Sequence, residues 1–275
     1  MPISVINRVQ LFWEQHGHGG APICLVHGSW GDHRNWDAVV PGLARRFRVL
    51  TYDRRGHSQS ELTVTQGSVE EDVADLAALM TSQHSSRVKS VHVVGNSFGA
   101  SIALKLAAKQ PDLFASLTVH DPPLIGLLDN DPALSAIQRR LGAVIDTLAS
   151  GKTELGAQQF VETVALGPGM WDTLPPEMRQ TFVFNASTWL DEMKEPSAFA
   201  LDLARLTAFQ QPLLLTQGDQ SPPFFGMILN SIAETRPPAQ RHTFRGAGHV
   251  PHQTHPDEFV SIIGGFMSPR VVARR

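Results

Sequence analysis

The chain has 275 residues, with 23 Lys and Arg against 26 Asp and Glu, 42% apolar and 18% charged residues. That length suits one large domain or a core with an insertion, and the composition is that of a globular protein rather than a disordered one. The near-neutral charge lacks the basic surplus of a nucleic-acid binder, one cysteine (Cys24) rules out an internal disulfide and a multi-cysteine metal site, and no apolar run nears the roughly 20 residues of a bilayer span.

Strand and helix patterns alternate through the first half. Ile3–Ile6 and Val9–Trp13 read as a hairpin. Ile23–Val26, Phe47–Tyr52, Val91–Val94 and Leu117–Val119 are short continuous apolar runs, the pattern of strands buried on both faces. Val69–Met80 and Ala100–Ala108 carry apolar residues at helical spacing. From Pro122 to about Leu206 only helical pieces are legible, over Ala136–Leu148, Gly156–Val164, Glu177–Met193 and Ala198–Leu206. Strands return at Pro212–Thr216 and Arg241–Phe244, with helices over Phe224–Glu234 and from Pro256 to Met267. Such alternation implies an α/β fold: a mostly parallel central sheet flanked by helices and joined by right-handed crossovers. The all-helical block reads as a cap inserted into that sheet. The expected division is a core of 1–123 and 207–275 with a cap over 124–206. The tail Arg270–Arg275 is basic and expected to fray. The start, Met1–Ser4, lacks the plan of a signal peptide, so a cytoplasmic location is expected.

The strongest chemical signal is Gly95-Asn96-Ser97-Phe98-Gly99, between a buried strand and a helix. In that context G-x-S-x-G places a serine on a sharp strand-to-helix turn, its hydroxyl clear of the sheet and facing the positive end of the following helix. A serine hydroxyl needs a base. Of 12 histidines, His249 in Gly246-Ala247-Gly248-His249-Val250-Pro251 is the favoured one, because its loop follows the last strand and lies at the carboxyl edge of a parallel sheet. His252 reads as a loop residue and His255 as decoration beside Pro256. The oxyanion formed by attack needs fixed donors. These are expected to be the backbone N–H of Phe98 and, in the loop His27-Gly28-Ser29-Trp30, that of Ser29. Trp30 is expected to bind substrate as an apolar wall, and His27 to tie loops together.

Together with Asp53-Arg54-Arg55-Gly56-His57-Ser58-Gln59-Ser60, these segments resemble the α/β-hydrolase superfamily, in its order and spacing. Ser58 stands at the second glycine of the superfamily's D-x-R-G-x-G-x-S, a structural turn to which no catalytic role attaches. The resemblance implies a Ser–acid–His triad, a nucleophile elbow and a helical cap. Its usual acid slot, three residues past Gly218, is Ser221. A second location at the end of the preceding core strand holds Asp121, in His120-Asp121-Pro122-Pro123. Asp121 is the favoured acid and Asp219 the alternative.

Gly151-Lys152-Thr153 fails as a phosphate loop because Asp146 stands where a glycine is required. His16-Gly17-His18 lacks an adjoining ligand in sequence, so no metal site and no cofactor are expected. Trp171, Trp189, Phe182, Phe184 and Phe199 are candidates for an acyl pocket or for plain packing. The expected activity is that of a serine esterase or lactonase acting on a small, mostly apolar substrate. A carbon–carbon bond hydrolase, a cofactor-free perhydrolase and a silent small-molecule binder stand as alternatives. The expected partner is a small ester-like molecule, not nucleic acid or membrane. A homodimer is left open.

Overall fold

The structure is a computed structural model and describes residues 3–62, 68–82, 90–128 and 132–268. Among them an 8-stranded sheet runs in the order β1-β2-β4-β3-β5-β6-β7-β8. The strands are β1 (Ile3–Ile6), β2 (Val9–His16), β3 (Pro22–Val26), β4 (Arg48–Tyr52), β5 (Val91–Asn96), β6 (Phe114–His120), β7 (Leu213–Gly218) and β8 (Gln240–Phe244). The β1–β2 and β2–β4 pairs are antiparallel, and the remaining pairs are parallel. The basic tail Arg270–Arg275 lies outside the described residues.

The apolar runs follow from two-sided burial. In β3, Cys24 and Val26 face one apolar cluster, and Ile23 and Leu25 face the other. Neither face meets water, so no polar alternation is possible. Burial pushes the Cys24 thiol up to about 12, leaving it protonated and inert. On one face lie α2 (Val69–Ser82) and α3 (Phe98–Lys109), and on the other the short α1 (Val40–Leu43) packs on the C-terminal helix.

Between β6 and β7 the chain is helical: α4 (Pro132–Ala149), α5 (Thr153–Phe160), α6 (Met170–Thr173), α7 (Pro176–Glu192) and α8 (Leu203–Leu206). Two expected helices are altered here. The piece over 156–164 breaks at Phe160 into a π-helical turn, Val161–Ala165. Ala198–Leu206 is not one helix but a 3-10 turn, Pro196–Phe199, and the single turn α8. The break has a physical cause: Asp202 accepts from the Arg205 N–H and starts α8 afresh, while the Lys105 ammonium takes the carbonyls of Ser197 and Ala200. After β7 come α9 (Pro223–Thr235), α10 (Pro251–Thr254) and α11 (Pro256–Met267). Among the described residues no helix is long and apolar enough to cross a membrane.

Candidate active site

Ser97 sits between β5 and α3 with φ 54° and ψ −126°, a strained conformation for a non-glycine residue. The flanking glycines make it attainable. A Cβ on Gly99 would lie 2.2 Å from the Val26 carbonyl oxygen, and one on Gly95 2.6 Å from the Ala100 backbone. A Cβ on Gly28, in the loop after β3, would lie 2.8 Å from the Ser97 Cβ. These three positions therefore let three backbone segments converge on one hydroxyl.

His249 follows β8, and Asn96 ties it to the elbow: the Asn96 side-chain amide donates to the His249 carbonyl at 3.0 Å. The imidazole stacks on Phe225, with ring centres 4.7 Å apart, and its Nδ1 lies 3.2 Å from Asp121 Oδ2. Asp121 follows β6 at φ 46°, a left-handed conformation that aspartate tolerates better than most residues. Ser221 Oγ donates to the same carboxylate oxygen at 2.6 Å, and His120 Nε2 is 3.2 Å from it. Burial pushes the Asp121 carboxyl up, but His120 and His249 outweigh it and hold the group below the ordinary carboxylate range. Asp219 is exposed and turned elsewhere: its Oδ1 accepts from the Gly246 N–H at 2.8 Å and so locks the loop. The geometry thus brings Asp121 to His249 and leaves Asp219 outside.

Ser97 and His249 share the wall of one cavity. Among the described residues Ser97 Oγ makes no hydrogen bond to the His249 ring. Such contacts often tighten only once substrate is bound. The N–H groups of Ser29 and Phe98 likewise donate to no described residue, and Phe98 is the first residue of α3, whose N–H has no acceptor within its helix.

The Ser29 loop rests on buried charges. Arg54 Nε and Nη2 bond Asp72 at 3.2 and 3.1 Å, Nη2 bonds Glu192 Oε1 at 2.6 Å, and Nη1 reaches the Gly28 carbonyl at 3.4 Å. Ser29 Oγ donates to the other Glu192 oxygen. Burial lowers the Arg54 pKa, but Asp72 and Glu192 outweigh it, so the guanidinium stays charged. His27 serves as a tie: its Nε2 accepts from the Arg54 N–H at 2.9 Å, leaving Nδ1–H to donate to the Gly28 carbonyl at 2.7 Å. Burial, then Arg54, lower its pKa to about 4, so it is neutral at pH 7.

Ile125, Ile137, Leu141, Phe160, Trp189 and Phe225 supply apolar walls to the cavity, and among the described residues no aspartate, glutamate, lysine or arginine lines it. The cavity volume is about 50 Å³. Trp30 is not on the wall. It is fully buried behind the wall, stacked on Phe160 and tilted against Trp189, with φ 69°. Of the cap aromatics, Trp189 and Phe199 line the cavity. Trp171 is buried in the core cluster, Phe182 packs on Trp30, and Phe184 is 54% exposed. His252 is no loop residue: it is fully buried in α10 against Trp36, at 4.6 Å between ring centres.

Among the described residues one cluster has metal-ligand chemistry, Asp32, His33 and Asp53. Its donors are spent internally: Asp53 takes the His33 ring at 2.6 Å and the Gln59 N–H at 2.9 Å, while Asp32 takes Arg34 and Ser58. It reads as a lock on the Asp53–Ser60 turn. Asn96, Ser221, Phe225, Arg54 and Glu192 escaped the sequence reading as contributors to the site. Asn96 and Arg54 lay inside segments already singled out, and Ser221 stood in the expected acid slot. Nothing in the sequence marked Glu192.

The family model described as "Alpha/beta hydrolase family" matches residues 25–262. The dihydrolipoyllysine-residue acetyltransferase component of an acetoin cleaving system from Pseudomonas putida is 35% identical over 42% of this chain, and the match spans only 30% of that protein. The pimeloyl-[acyl-carrier protein] methyl ester esterase of Aeromonas hydrophila is 26% identical over 90% of this chain and 96% of its own length. A crystal structure of an alpha/beta hydrolase from Sphaerobacter thermophilus superposes with a TM-score of 0.76 at 25% identity, over 98% of this chain and 99% of that one. Similar proteins also include a 2-hydroxymuconate semialdehyde hydrolase and a 3-oxoadipate enol-lactonase.

Proposed function

Because this chain belongs to the alpha/beta hydrolase family, we propose that it is a serine hydrolase cleaving small, apolar carboxylic esters or lactones, with the cap over 124–206 forming the acyl site. The observation that carries the reading is a single apolar cavity with Ser97 and His249 on its wall and the Asp121 carboxylate behind the imidazole.

Ser97 Oγ attacks the carbonyl carbon as its proton passes to His249 Nε2. The carbonyl oxygen, now negative, takes the N–H groups of Phe98 and Ser29. The Asp121 carboxylate accepts a hydrogen bond from Nδ1–H, which fixes the tautomer and stabilises the imidazolium. Collapse of the tetrahedral intermediate breaks the carbon–oxygen bond, and His249 returns its proton to the leaving alcohol. A water, deprotonated by the same imidazole, then releases the acid and restores Ser97. A wall without a cation gives an anionic acyl group no partner for its buried charge. The small free space favours short acyl chains.

The test is a fluorophosphonate probe with mass mapping of the adduct, followed by p-nitrophenyl esters of increasing acyl length and a succinyl ester. The expected result is an adduct on Ser97, turnover falling with chain length, and poor use of the anionic ester. A folded protein that leaves Ser97 unlabelled would return the reading to a silent binding site.

A further inference from the structure

We infer that the buried Arg54–Glu192 ion pair aims both oxyanion donors, so that Glu192, a residue of the cap, positions catalytic groups of the core. The inference rests on the serine-hydrolase reading and adds residues that the triad does not include.

Four contacts converge on this pair. Glu192, at the end of α7, receives the Ser29 hydroxyl on one carboxylate oxygen and Arg54 Nη2, at 2.6 Å, on the other. Both side chains are almost completely buried, at 1% and 0% exposure. The guanidinium also bonds the Gly28 carbonyl, next to the Ser29 amide, at 3.4 Å and lies 4.8 Å from the centre of the Phe98 ring. Ser29 is thus held through its side chain from the cap and through the neighbouring carbonyl from Arg54, while Phe98 is held through its ring. Asp72 braces Arg54 from α2, so the guanidinium cannot swing toward Glu192 alone.

The arrangement does more than join the cap to the core. Other polar links do that away from the site, such as Glu195, which accepts from the Val69 N–H at 2.6 Å. A buried charge pair is weak evidence for stability, because desolvation offsets much of the attraction. Its value here is directional. An oxyanion donor works only when fixed in place before charge develops, and a displacement of about 1 Å costs on the order of 10²-fold in rate. Burial raises the Glu192 pKa, against the pull of Arg54 and Ser29, so the carboxylate depends on keeping both partners.

The experiment compares wild type, E192Q, S29A, the double variant and the control E195Q. For each it measures kcat and KM on p-nitrophenyl acetate, the Ki of phenylboronic acid, fluorophosphonate labelling and thermal stability. Phenylboronic acid bonds to the serine oxygen and places a boronate oxygen in the donor site. E192Q and S29A are each expected to lower kcat by about 10- to 100-fold, with KM within about twofold and the boronate Ki raised in proportion. The double variant should lose little more than either single one, because E192Q removes the charge and S29A the hydroxyl of one coupled Arg54–Glu192–Ser29 chain. E195Q should keep the wild-type Ki. Wild-type boronate affinity and kcat in folded E192Q and S29A overturn the inference, as does an equal loss in E195Q, which would mark general loosening of the cap. If E192Q does not fold, S29A, which keeps its backbone N–H, decides alone. An unlabelled wild-type Ser97 instead defeats the serine-hydrolase reading, and the inference falls with it.

Discussion

On one side of Ser97, the imidazole and its carboxylate stand on the ends of β8 and β6, with Ser221 reaching over from the end of β7. On the other side, the Ser29 loop follows β3 but is pinned by Arg54 from the turn after β4 and by Glu192 from the cap. The first flank belongs wholly to the sheet. The second is complete only when the cap is seated. On the proposed reading, the proton-transfer groups are fixed by the fold of the core, whereas the proposed oxyanion donors depend on the helical insertion. The cap is then expected to act on the chemistry too, through Glu192.

Removing Ser97, the proposed nucleophile between the two flanks, should have the largest effect. S97A should fold normally and lose on the order of 10⁶ in kcat on p-nitrophenyl acetate. Retained turnover would separate the elbow from the chemistry altogether. Next comes the sheet-borne flank. D121N should cost on the order of 10⁴ in kcat, and D219N should stay within about threefold, since Asp219 only locks a turn. Reversal of that order in steady-state kinetics would move the acid to the later slot. S221A, which strips one short donor from Asp121, should cost about tenfold in kcat, the worth of one charge-assisted hydrogen bond.

Acid should weaken the bed beneath the oxyanion flank without any mutation. Burial, then Arg54, hold the His27 pKa down at about 4, and His57, its centroid 5.0 Å away, is lowered by the same two causes. The unfolded chain protonates these rings near pH 6.5 and the folded one does not. Stability is therefore full above that pH and falls as pH drops toward 4. For His27 alone the loss is on the order of 3 kcal/mol. The midpoint of thermal unfolding should be level from pH 8 to 7 and decline from pH 6.5 downward. A flat profile through pH 5 would mean that the rings are not held neutral.

The sheet was legible because strands buried on both faces must be apolar throughout, and the elbow because only glycine fits at 95 and 99. The misread places share a different cause. Trp30 looks like a pocket wall in sequence, but its indole packs against Phe160 and Trp189, distant in the chain. His252 reads as a loop residue until Trp36, distant in the chain, closes over it. The piece over 198–206 has helical spacing, yet the Lys105 ammonium and the Asp202 cap divide it.

Local patterns settled the strands, the elbow and most of the helices, though not the pieces over 156–164 and 198–206. They depend on neighbours a few residues apart, and the sequence carries that information directly. Only the tertiary structure decided between Asp121 and Asp219 as the partner of His249, and only it brought Glu192 to Ser29. Both outcomes depend on residues 128 and 163 positions apart meeting in a buried volume. There an unpaired charge is too costly to persist, so the packing of whole elements selects which carboxylate meets which donor.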